Sequence, residues 1–263
     1  MRLQRWCLVI AVVVAVVLPF LPLLLWSVSE RWFYPALLPN SFGPRAWNYV
    51  FGTAGSQILD GLWASFSIAA ATTVISLALG IPAGRALGLN EFRGKRFIAL
   101  LLTLPVIVPP LSVSMGLHLW FIRLDLAETF TGIVLIHLTF CLPYTIFVIW
   151  SVFTDYDPEY EEQARSLGAS PLTVAVQVMM PMILPGITVA ALFSFLLSWS
   201  QYLSTLIIGG GNFLTLPILL FSLMGSGDRP VAAAVSLIFI LPALLALIGS
   251  AYSLGRSGLK GVR

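Results

Sequence analysis

Residues 131–152 read TGIVLIHLTFCLPYTIFVIWSV, a run of 22 positions without one Asp, Glu, Lys or Arg. At 1.5 Å per residue a helix of this length reaches about 33 Å, enough to cross the roughly 30 Å hydrocarbon layer of a bilayer. Polar and apolar residues do not alternate as they would along a barrel strand, so the run is read as a helix. Five more runs of this kind flank it, at 7–28, 61–83, 97–120, 186–208 and 231–254. The fold class that follows is an all-α integral membrane protein with six transmembrane helices, forming a single transmembrane domain over residues 1–263.

The composition agrees with that reading. Of 263 residues 59% are apolar and only 10% charged, where soluble domains carry about 25% charged residues. A mean hydropathy of +0.96 leaves too little polar surface for a globule in water. A cytosolic enzyme, a disordered chain and a collagen are excluded together. The two cysteines, Cys7 and Cys141, lie in separate apolar runs with no second Cys or His at ligand spacing, and are read as packing residues. The run at 7–28 follows Arg2 and Arg5, but it contains Pro19 and Pro22 and lacks a small-x-small cleavage site, so it is read as a retained anchor.

An even number of spans puts both termini on one side. Ten cations then fall on that side, at Arg2, Arg5, Arg85, Arg93, Lys95, Arg96, Arg165, Arg256, Lys260 and Arg263, against Arg31, Arg45, Arg123 and Arg229 opposite. The positive-inside rule makes the termini cytoplasmic. The net charge of +3 is too small to point to nucleic acid.

Immediately after the fourth run, residues 154–185 read TDYDPEYEEQARSLGASPLTVAVQVMMPMILP, the longest segment on the cytoplasmic side. Asp157 offers an N-cap, Pro158 suits a first helical turn, and Glu159, Glu161 and Glu162 place negative charge where the helix dipole favours it. Gly168 supplies the stop. Ser170 and Pro171 repeat the start, and Leu172, Ala175, Val176, Met179 and Met180 recur on one helical face, which is expected to lie against the membrane domain. The first helix would present a small, mostly negative surface suited to docking a protein. Five acids against one Arg between Asp155 and Arg165 argue against DNA, whose phosphates would be repelled.

Other features take plainer readings. Gly80, Gly84 and Gly88 are read as close packing within the chain, and His118 and His137 as hydrogen-bonded packing residues. Pro105, Pro109, Pro110, Pro143 and Pro242 fall inside spans, where they kink helices and free carbonyls. Gly94-Lys95-Arg96 lacks the glycine spacing of a phosphate-binding loop, and no catalytic, metal or cofactor set is visible. The densest polar and aromatic group within a span is Ser194, Ser198, Trp199, Ser200, Gln201 and Tyr202, whose hydroxyls and amide could line a pathway for a polar solute, or else pack helices and form an aromatic belt.

The loop resembles the signature of binding-protein-dependent ABC importer permeases, E-A-A, three residues, Gly, nine residues, then I-x-L-P. Here it reads Glu162-Gln163-Ala164, Gly168 and Val178-Met179-Met180-Pro181, with Gln163, Val178 and Met180 as departures. The likeness covers nearly the whole chain from about Trp47. Two further stretches, His137 to Tyr144 and Phe195 to Tyr202 with the Gly209-Gly210-Gly211 loop, are similar to the branch that imports polyamines, with relatives for thiamine, ferric iron and phosphonates. Where polyamine permeases tend to carry acids, this chain has Ser200 and Gln201.

The resemblance implies a permease subunit of the bacterial inner membrane that is not itself an enzyme and binds no cofactor, ATP and Mg being held by a partner. The partners it implies are an ABC ATPase dimer, a second permease of homologous but non-identical sequence, an extracytoplasmic solute-binding protein and the lipid bilayer. Contact with the ATPase is expected from Tyr160, Glu161, Glu162, Gln163, Ala164, Arg165, Leu167, Gly168 and Ala169, and translocation from Ser194, Ser198, Trp199, Gln201 and Tyr202. An ion-gradient-driven secondary transporter is the alternative; it would usually carry ionisable groups deep in its spans, whereas Asp60 stands at a span edge.

Overall fold

The computed structural model of the chain describes residues 2–33 and 35–260, with side chains from 6 to 255. Arg263 lies outside the described residues, as do the side chains of Arg2, Arg5, Arg256 and Lys260, which the charge count had placed beside the termini.

The chain is almost wholly helical: α1 Arg2–Val17, α2 Phe20–Ser27, α3 Arg45–Asn48, α4 Gly55–Leu89, α5 Lys95–Ile107, α6 Pro110–Arg123, α7 Phe130–Thr154, α8 Glu159–Ser166, α9 Pro171–Val174, α10 Met180–Trp199, α11 Leu203–Gly209, α12 Leu216–Ser226 and α13 Arg229–Lys260. One departure from the all-α expectation is a short antiparallel pair, β1 Ser29–Arg31 with β2 Ser41–Phe42. Among the described residues four stretches are long and apolar enough to cross a membrane: α4, α7, the run Pro171–Trp199 and Arg229–Gly255 of α13. They become six if each of two bent pairs counts as one span.

Both bends sit at prolines. The pair α1 and α2 turns by 41° across Leu18 and Pro19, and α5 and α6 turn by 102° across Val108 and Pro109. A proline disfavours the α conformation for the residue before it, and Val108 is extended, at φ −74° and ψ 133°, although Pro82, Pro105 and Pro143 are held within helices. The stretch 97–120 is therefore not one straight helix.

The fifth span also differs from its expected limits of 186–208. The second loop helix does not lie apart from it. Ala175–Met179 forms a wider π turn that joins α9 to α10, so one apolar run extends from Pro171 to Trp199 and then breaks at Ser200. The extra residue of a π turn rotates the helical face. Of the face expected to be buried, Met179 is buried and Ala175 and Met180 pack beside it, while Leu172 is 74% exposed and Val176 is exposed as well; Val174 and Ile183 are buried instead.

The chain divides into two compact units, residues 1–64 with 214–242 and residues 65–213 with 243–263. In the first, Gly61 approaches Leu219, and the β pair stands between α2 and α3. In the second, α7 is the central element, packed by α5, α6, α10 and α11. Ile133, Ile136 and Phe140 pack with Ile68, Phe121 and Ile208 at one end of it, and Ile149 and Phe153 pack with Tyr156, Met179 and Ile183 at the other. Three glycines of α4 face α7 within the same chain: Gly80 meets Thr145, Gly84 meets Ile149 and Gly88 meets Phe153. Cys141 is buried in this packing as expected, but Cys7 is exposed on α1.

Candidate functional site

The segment from Asp155 to Ser170 folds as its caps dictate. Asp157 Oδ1 accepts the Glu159 amide at 2.9 Å, and Ser170 Oγ accepts the Thr173 amide at 3.2 Å. Gly168 turns the chain at φ +87°, a left-handed conformation that costs a glycine least. Between these caps α8 carries Glu159, Glu161 and Glu162 in its first turn and Arg165 in its last, both favoured by the helix dipole.

One side of α8 is turned out and one is rooted. Tyr160 is 51% exposed and Leu167 89% exposed. Glu162, Gln163, Arg165 and Gly168 are exposed too, while Ala164 and Ala169 are half-buried. Gln163, which departs from the signature, therefore points into open space.

Glu161 is the exception, only 3% exposed. Its Oε2 accepts Arg85 Nη2 at 2.8 Å and Arg165 Nη2 at 3.3 Å, and its Oε1 accepts the Tyr156 hydroxyl at 2.9 Å. Burial, and then the adjacent Glu161 carboxylate, push the Tyr156 phenol up to about 12. Sequence reasoning had grouped Glu161 with the outward residues and had used Arg85 only as a charge. A lone arginine near the end of a long apolar helix was the available signal.

The polar group of the fifth span is mostly enclosed. Ser194, Ser198 and Trp199 are buried, and Gln201 and Tyr202 are half-buried at the break. Trp199 stacks on Phe195 with centroids 5.7 Å apart. Ser198 Oγ lies 2.8 Å from His137 Nδ1, and Thr205 Oγ1 lies 2.9 Å from His137 Nε2. Ser114 donates to Ser204, which donates to the Gln201 side-chain oxygen. This network joins α6, α7, α10 and α11 around the break at Ser200. His137 is a hydrogen-bonded packing residue, as its isolation in the sequence implied, though its partners lie 61 and 68 positions away and no local pattern marks them.

A second cluster went unnoticed in the sequence. In the first unit Trp26 stacks on Trp32 at 4.3 Å, Arg229 lies 5.5 Å from the Trp26 ring centre, and Arg45 makes a two-pronged pair with Asp228 at 2.7 and 3.1 Å. These side chains line a cleft of about 690 Å³. The hydrogen bond to Asp228 raises the Arg45 pKa further.

Comparison with known proteins follows the same line. The family described as binding-protein-dependent transport system inner membrane component matches residues 76–256. The chain is 31% identical over 190 residues to the putrescine transport system permease protein PotI of Escherichia coli (strain K12), covering 70% of this chain and 68% of that protein. It is 29% identical over 262 residues to the molybdenum transport system permease protein ModB of Mycobacterium bovis, covering 94% and 93%. Its fold is similar to a chain of a bacterial ABC transporter involved in the import of the acidic polysaccharide alginate, with a TM-score of 0.72, 17% identity and 95% coverage of each chain.

Proposed function

The chain belongs to the family of binding-protein-dependent transport inner membrane components, and from that premise we propose that it is one permease subunit of an ATP-driven importer whose α8 docks on a cytosolic ABC ATPase. The observation that carries the reading is α8 itself: a short capped helix with Tyr160, Glu162 and Leu167 outward and Glu161 rooted in the membrane domain. The exposed Leu167 at the C-terminal end of this helix offers a partner an apolar contact. Glu162 supplies the polar contact, Leu167 the apolar knob, and Ala164, Gly168 and Ala169 the close approach; Tyr160, Gln163 and Arg165 form the rim.

In this reading each bent pair is one span, giving six, with both termini in the cytoplasm of a bacterial cell. A homologous second permease completes the pathway, and an extracytoplasmic protein delivers the solute. Closure of the ATPase dimer on ATP and Mg shifts the membrane helices between inward- and outward-facing states, which requires only that the ATPase contact the two states differently. Gln201 and Tyr202 at the break line the pathway, while the buried Ser194, Ser198 and Trp199 hold it in shape.

The solute is a small one of the polyamine, thiamine, phosphonate or ferric iron class. Likeness to PotI supports polyamines, while an amide at Gln201 in place of an acid offers a cation less. The near-uncharged spans speak against a coupling ion bound in the membrane.

The test is copurification from membranes with the tagged chain, native against Gly168→Asp, followed by assay of ATP hydrolysis. At φ +87° a side chain strains the turn, so the change perturbs the end of α8 as well as placing bulk and charge on the docking surface. An ATPase recovered with the native chain and lost with the variant, both equally inserted, supports the reading. No ATPase with the native chain sinks it.

A further inference from the structure

Arg85 touches four elements at once. It belongs to α4, its Nη2 donates to Glu161 of α8 at 2.8 Å, its Nη1 donates to the Met179 sulfur of the π turn before α10 at 2.7 Å, and its guanidinium lies 5.8 Å from the centre of the Phe153 ring of α7. Glu161 is the one buried residue of α8. The helix also packs on α9 and on the π turn Ala175–Met179, and at its C-terminal end Gly168 turns the chain at φ +87°.

We infer that the ion pair between the buried Glu161 and the partly exposed Arg85 is the rigid link that makes α8 move as one body with α4, α7 and α10, so that these two are positioning residues for coupling and not part of the docking surface. The inference rests on reading α8 as the coupling helix. A force applied to a short exposed helix is transmitted only if the helix cannot tilt on its end turns. A surface ion pair would not prevent tilting, because water replaces its partner at little cost. The Glu161 side chain, 4% exposed, has little water to take a lost partner's place, so losing Arg85 costs it more than a surface pair would lose. The Tyr156 and Arg165 donors complete its shell and fix the side of α8 that faces inward. The adjoining π turn, whose Met179 shares the same guanidinium, carries the displacement into the fifth span.

The test compares native chain, Glu161→Gln, Arg85→Met and Arg85→Lys, each in the complex recovered from membranes, with Cys7 and Cys141 replaced by Ala. Two reporters are read. Spin labels at Thr154→Cys and Ser166→Cys measure the distance across the pair, and alkylation of Ser200→Cys at the break is followed before and after trapping with ATP, Mg and vanadate. A two-state switch driven from mostly one form to mostly the other changes an exposed fraction by about ten-fold or more. The native complex and Arg85→Lys should give one narrow distance distribution and an alkylation change of that size.

Glu161→Gln and Arg85→Met should keep the ATPase, broaden the distribution and lose most of the alkylation change. A merely structural role would lower yield but leave the change intact in the complexes that survive, and that result overturns the inference. Loss of the ATPase from Glu161→Gln also overturns it, by returning Glu161 to the docking surface. If Glu161→Gln does not reach the membrane, Arg85→Met carries the same comparison, with Glu161 still present to be released. Should the native chain bring down no ATPase, the coupling-helix reading fails, and the spin-label distances still report whether the pair restrains α8.

Discussion

The imidazole of His137 lies 2.8 Å from the hydroxyl of Ser198, with its other nitrogen 2.9 Å from Thr205 Oγ1. Ser198 precedes the break in the fifth span and Thr205 follows it, so one side chain of α7 clamps both pieces. A neutral imidazole is suited to this, because one nitrogen donates while the other accepts.

His137→Phe fills much the same volume but leaves both hydroxyls without that partner. Hydrogen bonds between membrane helices contribute about 0.6–2 kcal/mol each, so the variant should lose about 1–3 kcal/mol of stability. Thermal unfolding of the purified chain in detergent measures it. An unchanged midpoint would show that the clamp contributes nothing.

At Gly84 an added Cβ would come 2.7 Å from Ile149 Cγ2 and 2.9 Å from the backbone nitrogen of Trp150. The first neighbour can yield and the second cannot. Gly84→Val should force α4 from α7 and cost about 1–3 kcal/mol, as overpacking does elsewhere. Gly116, inside α6 with nothing near its would-be Cβ, is the control, and Gly116→Ala should hold or raise the unfolding midpoint.

The Tyr156 phenol, held up to about 12 chiefly by burial and then by Glu161, makes the root of α8 sensitive to alkali. Its unfolded value is about 10. A folded-state pKa above the unfolded one means a contribution that is complete below pH 10 and is lost as pH rises towards the folded value. The difference in unfolding midpoint between native chain and Tyr156→Phe should therefore be steady from pH 7 to 9 and shrink between about 10 and 12. A difference that does not vary with pH would refute the assignment.

Arg45 and Asp228 are paired in good geometry, yet their side chains are 51% and 34% exposed. Such a pair is worth about 0–1 kcal/mol and is screened by salt. Asp228→Asn should shift the unfolding midpoint little, and less still at high ionic strength. A large, salt-independent loss would mean that the pair is shielded from water in the assembled protein.

The placing of helices was legible because a bilayer imposes a length and a polarity that local sequence must satisfy. The run 131–152 became α7 and 231–254 became part of α13 for that reason. Caps were equally legible: Asp157, Gly168 and Ser170 act within three residues of themselves. The limits of the fifth span were not, because a π turn at Ala175–Met179 shifts the face that apolar spacing seems to fix.

What the sequence determined by itself was the membrane class and a capped, acidic loop helix bearing a family signature, since hydropathy and capping are local quantities. Only the tertiary structure decided which acid of that helix is rooted. Glu159, Glu161 and Glu162 are alike in the chain, and Arg85 stands 76 positions from Glu161. The same holds for His137, whose two hydroxyl partners come from helices on either side of a break. A buried charge or imidazole is satisfied by whatever the packing brings within 3 Å or so, and that is settled by the meeting of helices rather than by neighbours along the chain.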